Sequence, residues 1–159
     1  MAKSTPAYWL LKSEPDAFSI DDLERRPRQT EMWDGVRNYQ ARNLIRDAMK
    51  PGDLAFFYHS SCAQPGIVGV AQIASAGYPD PTQFDAAHAH YDPGSKRDDP
   101  RWYAIDVRLD RKLHRLLALD ELRSHAGTGL KDLRLLARGN RLSVMPVSPQ
   151  HWRFILGLE

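Results

Sequence analysis

Apolar and polar residues change their period along the chain, and each change predicts a different element. The unbroken apolar run "YWLLK" (residues 8–12) is typical of a buried strand. Further strands are predicted at "LAFFYHS" (54–60), "GIVGVAQIASAGY" (66–78) and "RLSVMPV" (141–147), and "RWYAIDVRLDRKL" (101–113) alternates between two faces as a strand does. The pattern therefore predicts five or six strands at irregular intervals.

Two helices are predicted between these strands by capping residues and a longer apolar period. Ser19 is a typical N-cap for "IDDLERR", Asp22 completes a capping box, and Pro27 ends the helix. Asn38 is the predicted cap of the second helix. One apolar stripe of that helix consists of Ala41, Leu44, Ile45, Ala48 and Met49.

The C-terminal third adds two short helical patterns, at 117–125 and 130–139, and a closing helix that begins at Ser148 and Pro149. Helices and strands do not alternate regularly, which disfavours a doubly wound parallel sheet. The prediction is a mixed α+β chain in which a small barrel is flanked by helices.

Composition limits the class of protein. The 159 residues are 42% hydrophobic and 26% charged, which predicts one globular domain over residues 1–159. A single cysteine, Cys62, permits no internal disulfide and favours a reducing compartment. No apolar run approaches the roughly 20 residues of a membrane span, and the N-terminal stretch lacks an export signal. A soluble cytoplasmic domain without a membrane partner is therefore expected.

The net charge of +2 is unevenly distributed. Residues 23–50 hold seven basic and four acidic side chains, and residues 107–141 hold nine and four. Residues 80–106 hold three basic and six acidic ones. Two basic blocks separated by an acidic one can form a positive face for phosphates, or can simply solvate the surface of helices.

Motifs for metals, thiol chemistry and nucleotide cofactors are weak. "HAHYD" places His88, His90 and Asp92 at alternate positions, but it lies in a proline-rich loop without a second cluster, which favours surface histidines. Cys62 and His59 lack a third orienting group, so an incidental thiol is favoured. No glycine-rich nucleotide motif is present. No metal, cofactor or catalytic residue is therefore predicted.

"KSE" (residues 12–14) leaves two interpretations open. Lys12 and Glu14 face the same side of an extended chain and could perform acid–base or amide-hydrolysing chemistry. The favoured alternative is a strand end with solvated charges.

"MWDGVRNYQARN" (residues 32–43) carries the side chains that a nucleic-acid base requires. Trp33 supplies an aromatic plane, and a turn at Asp34 brings the backbone close. Arg37 lies near a helix start, and Arg42 and Arg46 lie on the helix face away from the apolar stripe, where they can reach phosphates. The alternative is a polar loop followed by a helix cap.

Six collinear blocks resemble one family. "YWLLKSEPD", "WDGVRNYQARN", "KPGDLAFFYHS", "PGIVGVAQI", "RWYAIDVR" and "LSVMPVSPQHWRFIL" are similar to the EVE domain of the PUA-like superfamily, including its small bacterial members. The resemblance extends from Ala7 to Leu156. It implies a twisted, largely antiparallel β-barrel flanked by helices, and a pocket for one flipped, modified base.

The resemblance also implies site residues. The pocket would consist of Lys12, Ser13, Trp33, Asp34, Asn38, Tyr39, Tyr58, His59 and Ser60. Arg37, Arg42 and Arg46 would lie near the bound strand, and Arg141 and Ser143 are additional candidates, with Arg141 contacting phosphate.

The resulting prediction is a module that recognises a modified cytosine or adenine in DNA or RNA. The alternative is a hydrolase that acts on a modified nucleobase or nucleoside through Lys12 and Glu14. A protein–protein module is a third interpretation. A restriction or toxin–antitoxin protein is a candidate partner, and the oligomeric state is left open.

Overall fold

Seven strands form the central layer of the protein in the computed structural model, which describes residues 5–159. The four residues before this range belong to the stretch in which no export signal was predicted, and they lie outside the described part of the chain. The strands are β1 (Tyr8–Ser13), β2 (Thr30–Trp33), β3 (Leu54–His59), β4 (Gly66–Ile73), β5 (Tyr78–Pro79), β6 (Tyr103–Ala118) and β7 (Val144–Val147).

Short helices connect these strands. The α-helices are α1 (Ile20–Arg25), α2 (Tyr39–Asn43), α3 (Leu119–Ser124) and α4 (Pro149–Leu156). Single 3₁₀ turns occur at Pro27–Gln29, Pro81–Phe84 and Arg134–Leu136. In the described residues, no helix is both long and apolar enough to cross a bilayer.

The strand order is β2-β6-β4-β3-β1-β7, with β5 added beside β6. Neighbours pair antiparallel except β1 and β3, which are parallel and are connected by a crossover containing α1, β2 and α2. The predicted mixed α+β class and largely antiparallel sheet are confirmed, and the closed barrel is wrong.

The sheet remains open because its two edge strands do not meet. A barrel needs a continuous ladder from one edge to the other. Both β2 and β7 have only four residues, and β7 contains Pro146, which has no N–H to donate to another strand.

The predicted helix caps are confirmed. The Ser19 hydroxyl accepts a hydrogen bond from the Asp22 amide at 3.1 Å, and the Asp22 carboxylate accepts one from the Ser19 amide at 2.9 Å. Asn38 and Ser148 cap α2 and α4 in the same way, accepting from the Ala41 and His151 amides. These caps depend only on local sequence.

The apolar stripe after Asn38 is confirmed only in part. Ala41, Ile45 and Met49 are buried, but Ala48 is exposed. The helix widens into a π-helical turn at Leu44–Ala48, where the Met49 amide donates to the Leu44 carbonyl. That extra residue per turn rotates Ala48 out of the stripe.

The helix predicted at 130–139 is wrong beyond one 3₁₀ turn. Asp132 has a left-handed φ of 68°, which interrupts a right-handed helix. Leu130, Leu133 and Leu135 are buried, so the segment is held by its leucines rather than by a helical face.

Candidate nucleic-acid interface

A cavity of about 600 Å³ lies where β1 and β2 end. We call it the strand-end cavity. It is lined by Lys12, Ser13, Glu14, Ala17, Phe18, Glu31, Met32, Trp33, Asp34, Gly35, Val36, Arg37, His88, His90 and Ser143. Its size is within the roughly 300–1,000 Å³ of typical small-molecule sites.

Asp80 anchors the wall of this cavity from behind. Its carboxylate is fully buried and accepts hydrogen bonds from the Gly35 amide (2.9 Å), from Arg37 (3.1 Å), and from the Thr82 amide (2.8 Å) and hydroxyl (2.5 Å). Burial alone would raise the pKa of Asp80, but the hydrogen bonds from Thr82, Gly35 and Arg37 outweigh it and hold the pKa below its usual value. The carboxylate is therefore ionised and structural.

Arg37 connects this anchor to the loop after it. Its guanidinium donates to Asp80, to the Thr82 hydroxyl and to the His90 carbonyl at 2.6 Å, and it lies over the Trp102 ring. The 80–92 loop is thus fixed against the turn that follows β2.

His90 is wedged into the rim of the cavity. Its ring packs directly on Gly35, which has a φ of 77° and no room for a side chain. The buried His90 Nδ1 has no hydrogen-bond partner among the described residues and lies 3.9 Å from the Asp34 carboxylate. His88 is close enough that one ligand atom from each of Asp34, His88 and His90 lies within 4.8 Å of the others.

This arrangement differs from the triad that "HAHYD" suggested. Asp92 does not join the histidines, because its carboxylate accepts from the Trp102 indole at 2.7 Å and faces Arg101. The His90 side chain is 41% exposed, in keeping with a surface histidine, but its Nδ1 is buried near Asp34.

Lys12 is the basic group of the cavity that has no acidic partner. Within residues 5–159 no ion pair includes it, and its ammonium lies 5.8 Å from the centre of the Tyr58 ring. Burial lowers the pKa of this amine. Glu14 lines the same cavity without pairing with Lys12.

Trp33 lines the cavity but is almost fully buried. The side chain is only 8% exposed and meets Phe57 and Phe18 edge-on, at centroid distances of 5.4 and 6.2 Å. It therefore belongs to the core and the cavity wall together, and Phe18 shares the apolar side of the wall.

The structure brings four of the nine predicted pocket residues together: Lys12, Ser13, Trp33 and Asp34. Two others lie outside the cavity on α2. Asn38 caps the helix, and Tyr39 is 53% exposed and stacks on Trp102 at 4.8 Å.

The remaining three lie at the end of β3. Tyr58 is buried under Lys12, and His59 accepts a hydrogen bond from the Ile20 amide at 3.1 Å instead of pairing with Cys62. Burial lowers the pKa of His59. The Ser60 amide donates to the Ser13 carbonyl, so this group supports the cavity from behind.

The four predicted phosphate-binding arginines are not equivalent. Arg37 is committed to the buried anchor, Arg42 donates to Asn43 and to the Arg101 carbonyl, and Arg46 forms a two-point pair with Asp47. Arg141 is exposed and has no such partner within the described residues.

Sequence reasoning missed several lining residues. Phe18, His88 and His90 come from segments outside "MWDGVRNYQARN", whereas Glu31 directly precedes it. Glu14 was predicted only as part of the alternative hydrolase site, and His88 and His90 were considered only as metal ligands.

An open, mostly antiparallel sheet that places one amphipathic cavity beside the ends of two strands defines a small α+β domain with a candidate binding site. The chain belongs to the EVE domain family, whose model matches residues 7–158. It is 50% identical to thymocyte nuclear protein 1 of Mus musculus, over 99% of this chain and 75% of that protein.

Solved structures agree with this assignment. The crystal structure of human THYN1 protein in complex with 5-methylcytosine-containing DNA has a TM-score of 0.92 and 46% identity, covering 96% of both chains. A Pseudomonas putida protein has a TM-score of 0.90 and 51% identity, covering 96% of this chain and 99% of that one.

Proposed function

We propose that the protein binds DNA carrying a modified cytosine and takes that base, extruded from its strand, into the strand-end cavity. The observation that carries the proposal is the cavity itself, which combines an apolar wall with an ammonium and a carboxylate. The likeness to human THYN1, which was crystallised with 5-methylcytosine-containing DNA, supports the same ligand class.

The polar groups of the cavity match the edge of cytosine. The N4 amino group of cytosine is a donor that a carboxylate accepts, and Asp34 offers such a carboxylate at the rim. Lys12 is a donor without an acidic partner and suits the ring acceptors of the base. Apolar contact with Phe18 and Trp33 suits an added methyl group.

The cavity alone does not provide strong binding. Base–aromatic contact contributes about 1–3 kcal/mol, and extruding a base costs a few kcal/mol. Contacts with the phosphate backbone must therefore supply most of the net affinity, and binding should weaken steeply as salt rises.

The test compares labelled duplexes that contain cytosine, 5-methylcytosine, 5-hydroxymethylcytosine or N6-methyladenine at one position, with single-stranded DNA and RNA as further arms. Lys12→Met keeps the apolar stem and removes the charge, and Lys131→Met is the matched control at an exposed lysine outside the cavity. We expect tighter binding to a modified cytosine, and a loss of about tenfold or more in Lys12→Met only. Equal binding to all duplexes would overturn the proposal.

Trp33→Ala is a poor variant for this purpose. Removing a nearly buried Trp costs about 3–5 kcal/mol of folding free energy, which would mix loss of binding with unfolding. Trp33→Phe keeps the core contact and is the appropriate substitution.

One observation favours a second candidate function, a hydrolase acting on a modified nucleobase or nucleoside. Burial lowers the pKa of Lys12, which increases the fraction of neutral amine available to act as a general base, and Glu14 lines the same cavity. Turnover of an N4-acylated cytidine by the wild type, lost in Lys12→Ala, would establish it. Absence of turnover together with selective DNA binding would exclude it.

A further inference from the structure

A second cavity, of about 360 Å³, contains three converging arginines. It is lined by Asn38, Gln40, Arg134, Ala137, Arg138, Gly139, Asn140, Arg141 and Leu142. We call it the arginine cavity. Sequence reasoning singled out only Arg141 among these arginines.

The charges of the arginine cavity are not neutralised. No acidic residue lines it. Within residues 5–159, no ion pair or side-chain hydrogen bond includes Arg134, Arg138 or Arg141, whereas Arg26, Arg46 and Arg115 each hold a carboxylate. Three exposed cations around one concave surface produce a positive potential that attracts an anion.

The buried leucines of this segment leave its arginines exposed at the surface. Leu133, Leu135 and Leu142 are buried and fix the segment at three points, and Arg134 projects from between two of them. Gly139 turns the chain with a φ of 77°, so that Arg138 and Arg141 approach the same cavity. The remaining lining groups, from Asn38, Gln40 and Asn140, are neutral amides that can also donate to an oxyanion.

The arginine cavity adjoins the strand-end cavity along the chain at two places. Arg37 lines the strand-end cavity, and the next residue, Asn38, lines the arginine cavity. In the same way, Ser143 lines the strand-end cavity and the preceding residue, Leu142, lines the arginine cavity. Two separate segments thus run from one cavity to the other. A nucleotide has its base and its phosphate only a few bonds apart, so adjoining cavities of these two chemistries suit the two parts of one ligand.

We infer that the arginine cavity binds the phosphodiester backbone of the DNA strand whose base enters the strand-end cavity. This inference rests on the proposed function, and it assigns affinity to Arg134, Arg138 and Arg141 and base discrimination to the other cavity. Guanidinium groups suit this role because their planar forks pair with phosphate oxygens in a bidentate manner.

The test measures DNA affinity over a series of salt concentrations for Arg134→Gln, Arg138→Gln, Arg141→Gln and the triple variant. Arg108→Gln is the charge-matched control, because Arg108 is exposed on β6 and lines neither cavity. We expect each single variant to weaken binding roughly threefold to tenfold, equally for modified and unmodified duplexes, and to reduce the salt slope by about one. The preference for the modified base should persist.

Wild-type affinity and salt slope in the triple variant would overturn the inference while leaving the proposed function intact. An equal loss in Arg108→Gln would also overturn it, because the effect would then reflect only net charge.

Thermal unfolding with an inorganic anion tests the arginine cavity even if the wild type binds no duplex and the proposed function fails. Inorganic pyrophosphate should raise the Tm of the wild type and of Arg108→Gln, but not that of the triple variant. Equal stabilisation of all three proteins would overturn the assignment of an anion site. The Tm without ligand confirms that each variant folds.

Discussion

The strand-end cavity and the arginine cavity hold their charges in opposite ways. Behind the first, Arg37 and Asp80 satisfy each other in a buried hydrogen-bond network that fixes the wall. In the second, three arginines remain exposed without acidic partners. A cavity with fixed walls can discriminate between similar bases, whereas exposed cations attract the phosphate backbone of DNA independently of its base sequence. Under the proposed function, specificity and affinity therefore come from different parts of one surface.

The largest expected effect is on the free energy of unfolding, and it comes from removing the buried anchor of the cavity wall. Asp80→Ala removes a buried carboxylate with four hydrogen bonds and leaves Arg37 without its acidic partner, so we expect a loss of about 3–5 kcal/mol in the free energy of unfolding. Urea denaturation measures it. Asp98→Ala, at an exposed aspartate, is the control and should change stability by less than about 0.5 kcal/mol.

The same network predicts a pH dependence with a definite sign. The pKa of Asp80 is lower in the folded protein than in the unfolded chain, so its stabilisation is present above the unfolded value of about 4. It is lost as the pH falls through the lower folded value. The stability difference between wild type and Asp80→Ala should therefore shrink only in acid, and a constant difference down to that range would contradict the argument.

A smaller change in stability, of opposite sign, is expected when Lys12 is replaced. Its ammonium is partly desolvated without an acidic partner, so Lys12→Met should stabilise the fold at neutral pH while weakening DNA binding. Because burial lowers the folded-state pKa, the gain should decrease as the pH rises from that value towards about 10.4, where the unfolded lysine loses its proton. Thermal unfolding at several pH values checks this, with Lys131→Met as the control. A less stable Lys12→Met at neutral pH would refute it.

The smallest expected effect is on DNA binding, when an arginine that is already paired with a carboxylate is replaced. Arg46 and Asp47 form a two-point pair at 2.8 Å, so the double variant Arg46→Gln/Asp47→Asn removes both charges without changing the net charge. We expect DNA affinity and salt slope to remain those of the wild type. A fall as large as that in Arg138→Gln would show that Arg46 contacts phosphate in spite of its pair.

Local features of this fold were predictable from the sequence, and distant ones were not. The caps at Ser19, Asn38 and Ser148 require only neighbouring residues, and the strand patterns were equally local. Closure of the barrel was mispredicted because it depends on how far β2 and β7 extend, which no short pattern states. The π-helical turn is likewise a result of packing rather than of propensity.

In the candidate site, too, the residues in local motifs were predictable and those that depend on distant partners were not. Lys12, Ser13, Trp33 and Asp34 follow from blocks that resemble the family, and the structure places them in one cavity. Asp80 was not predicted, because it lies in a proline-rich loop and its partners, Gly35 and Arg37, are more than 40 residues away along the chain. Arg134 and Arg138 were not predicted as site residues because the segment was interpreted as a helix.

The position of β1 between β3 and β7 has a consequence for biosynthesis. The Lys12 amide donates to the Ser143 carbonyl at 2.8 Å, so β1 is completed by a segment that is synthesised much later than β1 itself. Until then the side of β1 that faces away from β3 is an unpaired edge, and the wall containing Ser143 is missing. A nascent or truncated chain that stops before Ser143 therefore lacks a complete strand-end cavity.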